Sequence, residues 1–253
     1  MGRRLKPRGA YIDMPVVLCW YTTVMPKTKS SEKDRAYARL LDLILRGKIS
    51  PEEPLAERRL ADSLRIGRTP VREAIKDLVR EGVLEAHPTR GTFVRQLSLR
   101  DVQEIYQVRY AIEGLAAFLA AERGPTEALL DFGPRFRAAI ETPESCEVAA
   151  VYDEGADFHL EVFRCAGNRN LLEIYRPIRL RFRIALGMPR HHDPQRVFKS
   201  AAEHLEILEA IEARNGEEAQ RLICDHLHKG LEVRTRLFQG ISRPGPETIV
   251  TTH

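Results

Sequence analysis

The chain has 253 residues, of which 43% are hydrophobic and 30% charged, with a net charge of +4. That length allows two ordinary domains or one large one, and no apolar run approaches the roughly 20 residues needed to cross a bilayer. The four cysteines (Cys19, Cys146, Cys165, Cys224) form no C-x-x-C pair, which argues against a zinc ribbon or a disulfide framework and makes a cytoplasmic chain with reduced thiols the default.

Charge is unevenly spread. Residues 1–24 hold 4 Lys+Arg against 1 Asp+Glu, residues 25–97 hold 16 against 11, and residues 98–253 hold 20 against 24. A basic N-terminal third and a mildly acidic remainder fit a nucleic-acid module joined to a module of another kind. Residues 1–32 read as a disordered arm, or as an upstream stretch before a true start at Met25. Their basic residues and the run Val16–Trp20 imitate a signal peptide, but Pro15 and Thr22-Thr23 interrupt it and no small-residue cleavage site follows.

From residue 33 the spacing predicts a domain ending near 97. Tyr37, Leu40, Leu41, Ile44 and Leu45 give a helical face over Lys33–Arg46, closed by Gly47. Glu57–Leu64 is a short second helix. A tight turn leads to a third, Pro70 to about Arg80, with Thr69 as its expected cap and Pro70 at its first position. Val71, Ile75, Leu78 and Val79 give this helix an apolar face, while Arg68, Arg72 and Lys76 line another face with positive charge. Such a stripe can be a solvated surface. At a helix N-terminus it also offers N–H groups to phosphates and guanidinium forks to guanine edges. Val83–Ala86 and Thr92–Val94 read as short strands joined by a loop ending in Gly91. Three helices followed by a hairpin make a winged helix-turn-helix whose third helix is the recognition helix.

These residues also carry a resemblance. Leu55–Ala61, Gly67–Ile75, Glu81–Leu84 and Arg90–Val94 resemble the DNA-binding domain of GntR-family bacterial transcription regulators. The resemblance implies DNA contacts at Arg58, Arg68, Thr69, Arg72, Arg90 and Gly91. Gly67 departs from it, because the family usually carries Ser or Thr there. Read from the residues alone, Arg59 is a solvated neighbour and Arg90 could be an ordinary charged turn residue.

Beyond Gln96 no further strand signal appears before the tail, and residues 98–239 read as an all-α antiparallel bundle of six helices. Leu99–Glu122 is expected to start from a capping box at Ser98 and Asp101. Further helices are expected over Thr126–Glu141, Glu144–Cys165, Asn170–Leu186, Pro194–Ala213 and Glu217–Phe238, with a loose tail over 240–253. Around the break at Asn215-Gly216, His204 lies 11 residues before Asn215 and His226 11 after it. An antiparallel helix pair would hold them at one height. With His159 on an earlier helix, three imidazoles could converge and suit Zn²⁺ or Ni²⁺. The bland alternative is three separate histidines with ordinary partners.

Val108–Glu113, Phe158-His159, Ala166–Asn168, Glu203-His204 and His226-Leu227 are similar to the FCD ligand-binding domain of the FadR-type branch, in its smaller VanR-like size. The resemblance implies a divalent metal (zinc or nickel) on His159, His204 and His226 plus an acidic residue four positions before the first histidine. Here that position is Gly155. Water or effector could then fill the fourth place, or the metal could be lost. Arg109 is the candidate effector contact, since the family's effectors are often carboxylates and a guanidinium fork suits one. Its alternative is an i,i+4 pair with Glu113. Arg176, Arg179 and Arg183 share one helix face that could reach the pocket, a dimer contact or only solvent, with solvent as the default.

The expectation is a mostly α, dimeric repressor of a palindromic double-stranded DNA operator, without enzymatic activity or membrane attachment and released by a small carboxylate. The alternatives are a regulator for which the metal itself is the signal, and a three-histidine hydrolase using Glu154 or Asp157 as base.

Overall fold

The computed structural model describes residues 31–185 and 193–241. The expected N-terminal arm before Ser31, the break at Gly187–Pro189 and the tail beyond Ile241 lie outside these residues. The chain divides into two compact units between Arg95 and Gln96.

The first unit is a winged helix-turn-helix. Helix α1 (Glu32–Leu45) starts from a capping box of Ser31 and Asp34 and buries Ala36, Tyr37, Leu40, Leu41 and Ile44. Helix α2 (Glu57–Leu64) ends on Arg65 in the left-handed region, making the tight turn into α3 (Arg68–Arg80). Val71, Ala74, Ile75 and Leu78 of α3 are buried, and the Lys33–Asp77 ion pair at 2.6 Å ties α3 to α1. Strands β1 (Leu84–His87) and β2 (Gly91–Val94) pair antiparallel, with Leu84 opposite Val94 and His87 opposite Gly91.

The start of α3 corrects the expected cap. Gly67, not Thr69, is the N-cap, and no side chain caps the helix. Thr69 and Pro70 lie in the first turn, where the missing proline N–H is one of the four that have no partner within the helix. The family's departure at Gly67 therefore falls where a hydroxyl would cap the recognition helix.

The second unit is helical throughout its described residues. Helix α4 (Leu99–Arg123) starts from the expected Ser98/Asp101 capping box and runs along α10, also meeting α7, α8 and α9. Small residues (Gly114, Ala116, Ala117, Ala120, Ala121) on its buried face allow close approach; a Cβ on Gly114 would lie 3.2 Å from Cys224 Sγ. Thr126–Glu141 is two helices, not one: α5 (Glu127–Leu130) and α6 (Phe132–Glu141). Pro134 is the cause, since it cannot donate to the carbonyl of Leu130 and its ring crowds it. The expected helix from Glu144 starts later, as α7 (Val148–Cys165), after a 3-10 turn at Pro143–Ser145. Helix α8 (Arg169–Ala185) contains Pro177, α9 spans Pro194–Glu212, and α10 (Gly216–Ile241) extends past the expected end at Phe238. Phe132, Phe136 and Phe158 pack edge-on and tilted between α6 and α7.

Candidate metal centre and nucleic-acid interface

In the first unit Arg58, Arg68, Thr69, Arg72, Arg90 and Gly91 are all exposed. Arg72 Nε donates to Glu57 Oε2 at 3.0 Å, tying the recognition helix to α2, and Lys76 pairs with Glu73 at 2.8 Å. Arg58 and Arg68 have no ion pair among the described residues, so their charges are free. At the hairpin, Arg90 sits over the Phe93 ring at 5.3 Å. Gly91 has φ +100°, and a Cβ there would come within 3.1 Å of Pro54 Cβ, so a side chain would be strained in the backbone and tight against its neighbour.

In the second unit α7, α9 and α10 bring His159, His204 and His226 together, at 5%, 4% and 8% exposure. Their Nε2 atoms form an equilateral triangle with 3.2 Å edges. The symmetric placement of His204 and His226 about Asn215 is what sets them level across α9 and α10. Phe136 and Phe158 flank the His204 ring at 5.3 and 5.1 Å.

Two carboxylates fix the rings from behind. His159 Nδ1 lies 2.6 Å from Glu113 Oε2, and His226 Nδ1 2.7 Å from Glu203 Oε2. An ionised carboxylate only accepts, so each Nδ1 facing one carries the proton and each Nε2 is left with a bare lone pair. Nε2 of His159 and Nε2 of His226 therefore face each other with no proton between them. Burial holds the His226 imidazole down to about 4, with His159 adding to this and Glu203 opposing it. Burial also keeps His204 well below the usual range. The His204 and His226 rings are therefore neutral at neutral pH. Burial alone would raise Glu113 and Glu203. Arg109 and His159 bring Glu113 down to about 2, and His226 and Arg196 bring Glu203 to about 2.

This donor set fits a metal ion. Nitrogens about 2.05 Å from a common ion would lie about 2.9 Å apart at right angles and about 3.3 Å apart at the tetrahedral angle, and the observed 3.2 Å falls between. The acidic position expected by resemblance is closed rather than merely vacant. A Cβ on Gly155 would lie 2.6 Å from His204 Cε1. The three acids near it that could substitute point elsewhere, Asp153 to Arg183 at 2.7 Å, Glu154 to Arg135 at 2.9 Å and Asp157 to Arg179 at 2.5 Å. Among the described residues none of them joins the histidine cluster.

A cavity of about 160 Å³ adjoins the triad, lined by His159, His204 and His226 as well as by Arg109 and Arg179. Arg109 makes the i,i+4 pair with Glu113, at 2.5 Å, and also faces the cavity, stacking on Phe182 at 4.4 Å. The reading of Arg179 as solvent-facing is wrong, since its side chain is 4% exposed. The sequence reading missed Glu113 and Glu203 as partners of the histidines. The signal for Glu113 was its place one turn from Arg109 on a face buried between helices.

A winged helix-turn-helix joined to a helical unit with an arginine-lined cavity is the architecture of a ligand-responsive DNA-binding transcription regulator. Residues 32–94 match the model for bacterial regulatory proteins of the gntR family, and residues 104–229 match the FCD domain. A Paenarthrobacter nicotinovorans protein named as a probable D-xylose utilization operon transcriptional repressor is 32% identical over 184 residues, 73% of this chain and 80% of that protein. The Nta operon transcriptional regulator of Aminobacter aminovorans is 29% identical, over 75% of this chain and 88% of its own. The solved E. coli McbR/YncC shares the fold with a TM-score of 0.70 at 19% identity, over 83% of this chain and all of that one. The chain belongs to the gntR family of bacterial regulatory proteins and carries an FCD domain. Among the described residues no helix is long and apolar enough to cross a membrane.

Proposed function

We propose that this protein is a homodimeric repressor that releases a palindromic operator when a small carboxylate enters the cavity beside a divalent metal, zinc or nickel, held by His159, His204 and His226. The observation that carries this reading is the triangle of Nε2 atoms at 3.2 Å, two of them proton-free, at the end of an arginine-lined cavity. A bound ion would act there as a Lewis acid that receives a carboxylate oxygen. Arg109, held by Glu113, would orient the same group.

On the DNA side, Arg68 and Arg72 read base edges from the exposed start of α3, while Arg58, Thr69, Arg90 and Gly91 hold the backbone. The name of the P. nicotinovorans relative supports the sign of control. Effector binding releases DNA through unequal affinity for two arrangements of the protein.

The test is elemental mass spectrometry of the purified chain and of His204→Ala, alongside operator binding with and without metal. About one ion per chain, lost in the variant, is expected. No ion after incubation with zinc and nickel would refute the metal centre. Operator affinity that follows the metal alone would favour a metal sensor.

A further inference from the structure

Several buried donors in the cavity wall have no acceptor among the described residues. Arg179 Nη2 donates to Asp157 Oδ1 at 2.5 Å, while its Nε and Nη1 are buried with no partner. Asp157 is 54% exposed, so water screens the charge that it pairs with this guanidinium. Arg196 Nη1 and Arg234 Nε, from two further cavity-lining residues, are also buried donors without acceptors. Among the described residues Asp193 is the one acidic residue in the lining. Buried donors are nearly always satisfied in folded proteins, so several around one cavity mark a place for an acceptor-rich guest. At the histidine end the carboxylates of Glu113 and Glu203 are already engaged by Arg109 and Arg196 as well as by His159 and His226, and Gly155 adds no further acid.

Size limits the guest. The cavity, at about 160 Å³, matches a cavity of about 150 Å³ that holds benzene, so it admits roughly six to ten heavy atoms.

We infer that the effector is a compact two-headed dianion, with one anionic group at the histidine end and the second held by Arg179. This rests on the cavity being the effector site. A dicarboxylate of four to six carbons has both heads and the right size. Arg179 is then the residue that selects two heads over one.

The full-length, zinc-loaded chain would be titrated calorimetrically with succinate, glutarate and adipate, with their monocarboxylate counterparts butyrate, pentanoate and hexanoate, and with sulfate as a single-headed dianion. At least one dicarboxylate should bind about tenfold or more tighter than the monocarboxylate of equal length, the increment of one charge-assisted contact. Arg179→Gln should abolish that preference and keep its zinc. Asp157→Asn should strengthen dicarboxylate binding by freeing the guanidinium, an effect opposite to that of a damaged fold. Equal binding of the two classes, sulfate matching the dicarboxylates, or a preference that survives Arg179→Gln would overturn the inference. Should Arg179→Gln not fold, Asp157→Asn decides, and unchanged or weaker binding overturns it. If no anion of any class binds the parent, the cavity is not the effector site and the underlying reading falls too.

Discussion

Glu113→Gln tests the electrostatic centre of the second unit. Glu113 is 0% exposed and holds Arg109 on one side and His159 on the other. The substitution keeps shape and an accepting oxygen but removes the charge that balances Arg109, itself 5% exposed. Breaking a buried pair from one side costs about 3 to 5 kcal/mol. The same contacts hold the Glu113 carboxyl down to about 2 against burial, which raises it, and a carboxyl depressed from 4.5 contributes about 3 kcal/mol to folding at neutral pH. The two agree, and for a unit of this size they imply a melting temperature lower by about 10 °C.

Because the folded pKa is depressed, this stabilisation is fully present above pH 4.5 and is lost as pH falls toward 2. The assay is urea and thermal unfolding of chelator-treated protein at neutral pH and through that acid window. The parent's advantage over Glu113→Gln should hold above pH 4.5 and shrink below it. Arg109→Met in the Glu113→Gln background should recover part of the loss. A cost below about 1 kcal/mol, or strictly additive effects, would refute the reasoning.

Gly155→Ala sets a Cβ 2.6 Å from His204 Cε1, so the ring must move; metal affinity, read by competition with a chromophoric chelator, should fall by at least the roughly 10- to 100-fold typical of a lost supporting contact. Gly67→Ser adds the missing cap to the recognition helix, with its Cβ at an ordinary 3.4 Å from Pro70 Cδ; it should stabilise the first unit by a few tenths of a kcal/mol, visible as a small rise in its unfolding midpoint. Arg72→Ala should weaken binding to an operator selected in vitro by about 1 to 3 kcal/mol and relax one base position, whereas Arg58→Ala should weaken all sequences alike and lower the salt slope by about 1.

The sequence made some features readable because they depend on local spacing. Helix α2 lies where its apolar residues put it, and the Ser98/Asp101 capping box starts α4 as expected. His204 and His226 meet because a short turn at Asn215 makes symmetric positions level. What escaped depends on neighbours distant in the chain. Asp157, on another helix, draws Arg179 inward, and no periodicity in α8 reveals that. Glu203 reads as a surface acid beside His204 until α10 sets His226 against it. The start of α3 was misjudged because Thr69 and Pro70 suit a cap and first position as well as they suit the first turn, and the left-handed Arg65 decides between them.

The imidazole triangle has a consequence for the fold itself. Two proton-free nitrogens 3.2 Å apart in a buried site are a local conflict, kept in place by aromatic walls and by carboxylates behind the rings. A sequence shaped only for folding would carry an aliphatic side chain there. Stripped of any ion, His226→Leu, which removes one of the two and leaves Glu203 its pair with Arg196, should therefore melt at a higher temperature than the parent. The molecule keeps a frustrated spot at the centre of its second unit, and its resistance to unfolding becomes a measure of whether that spot has been filled.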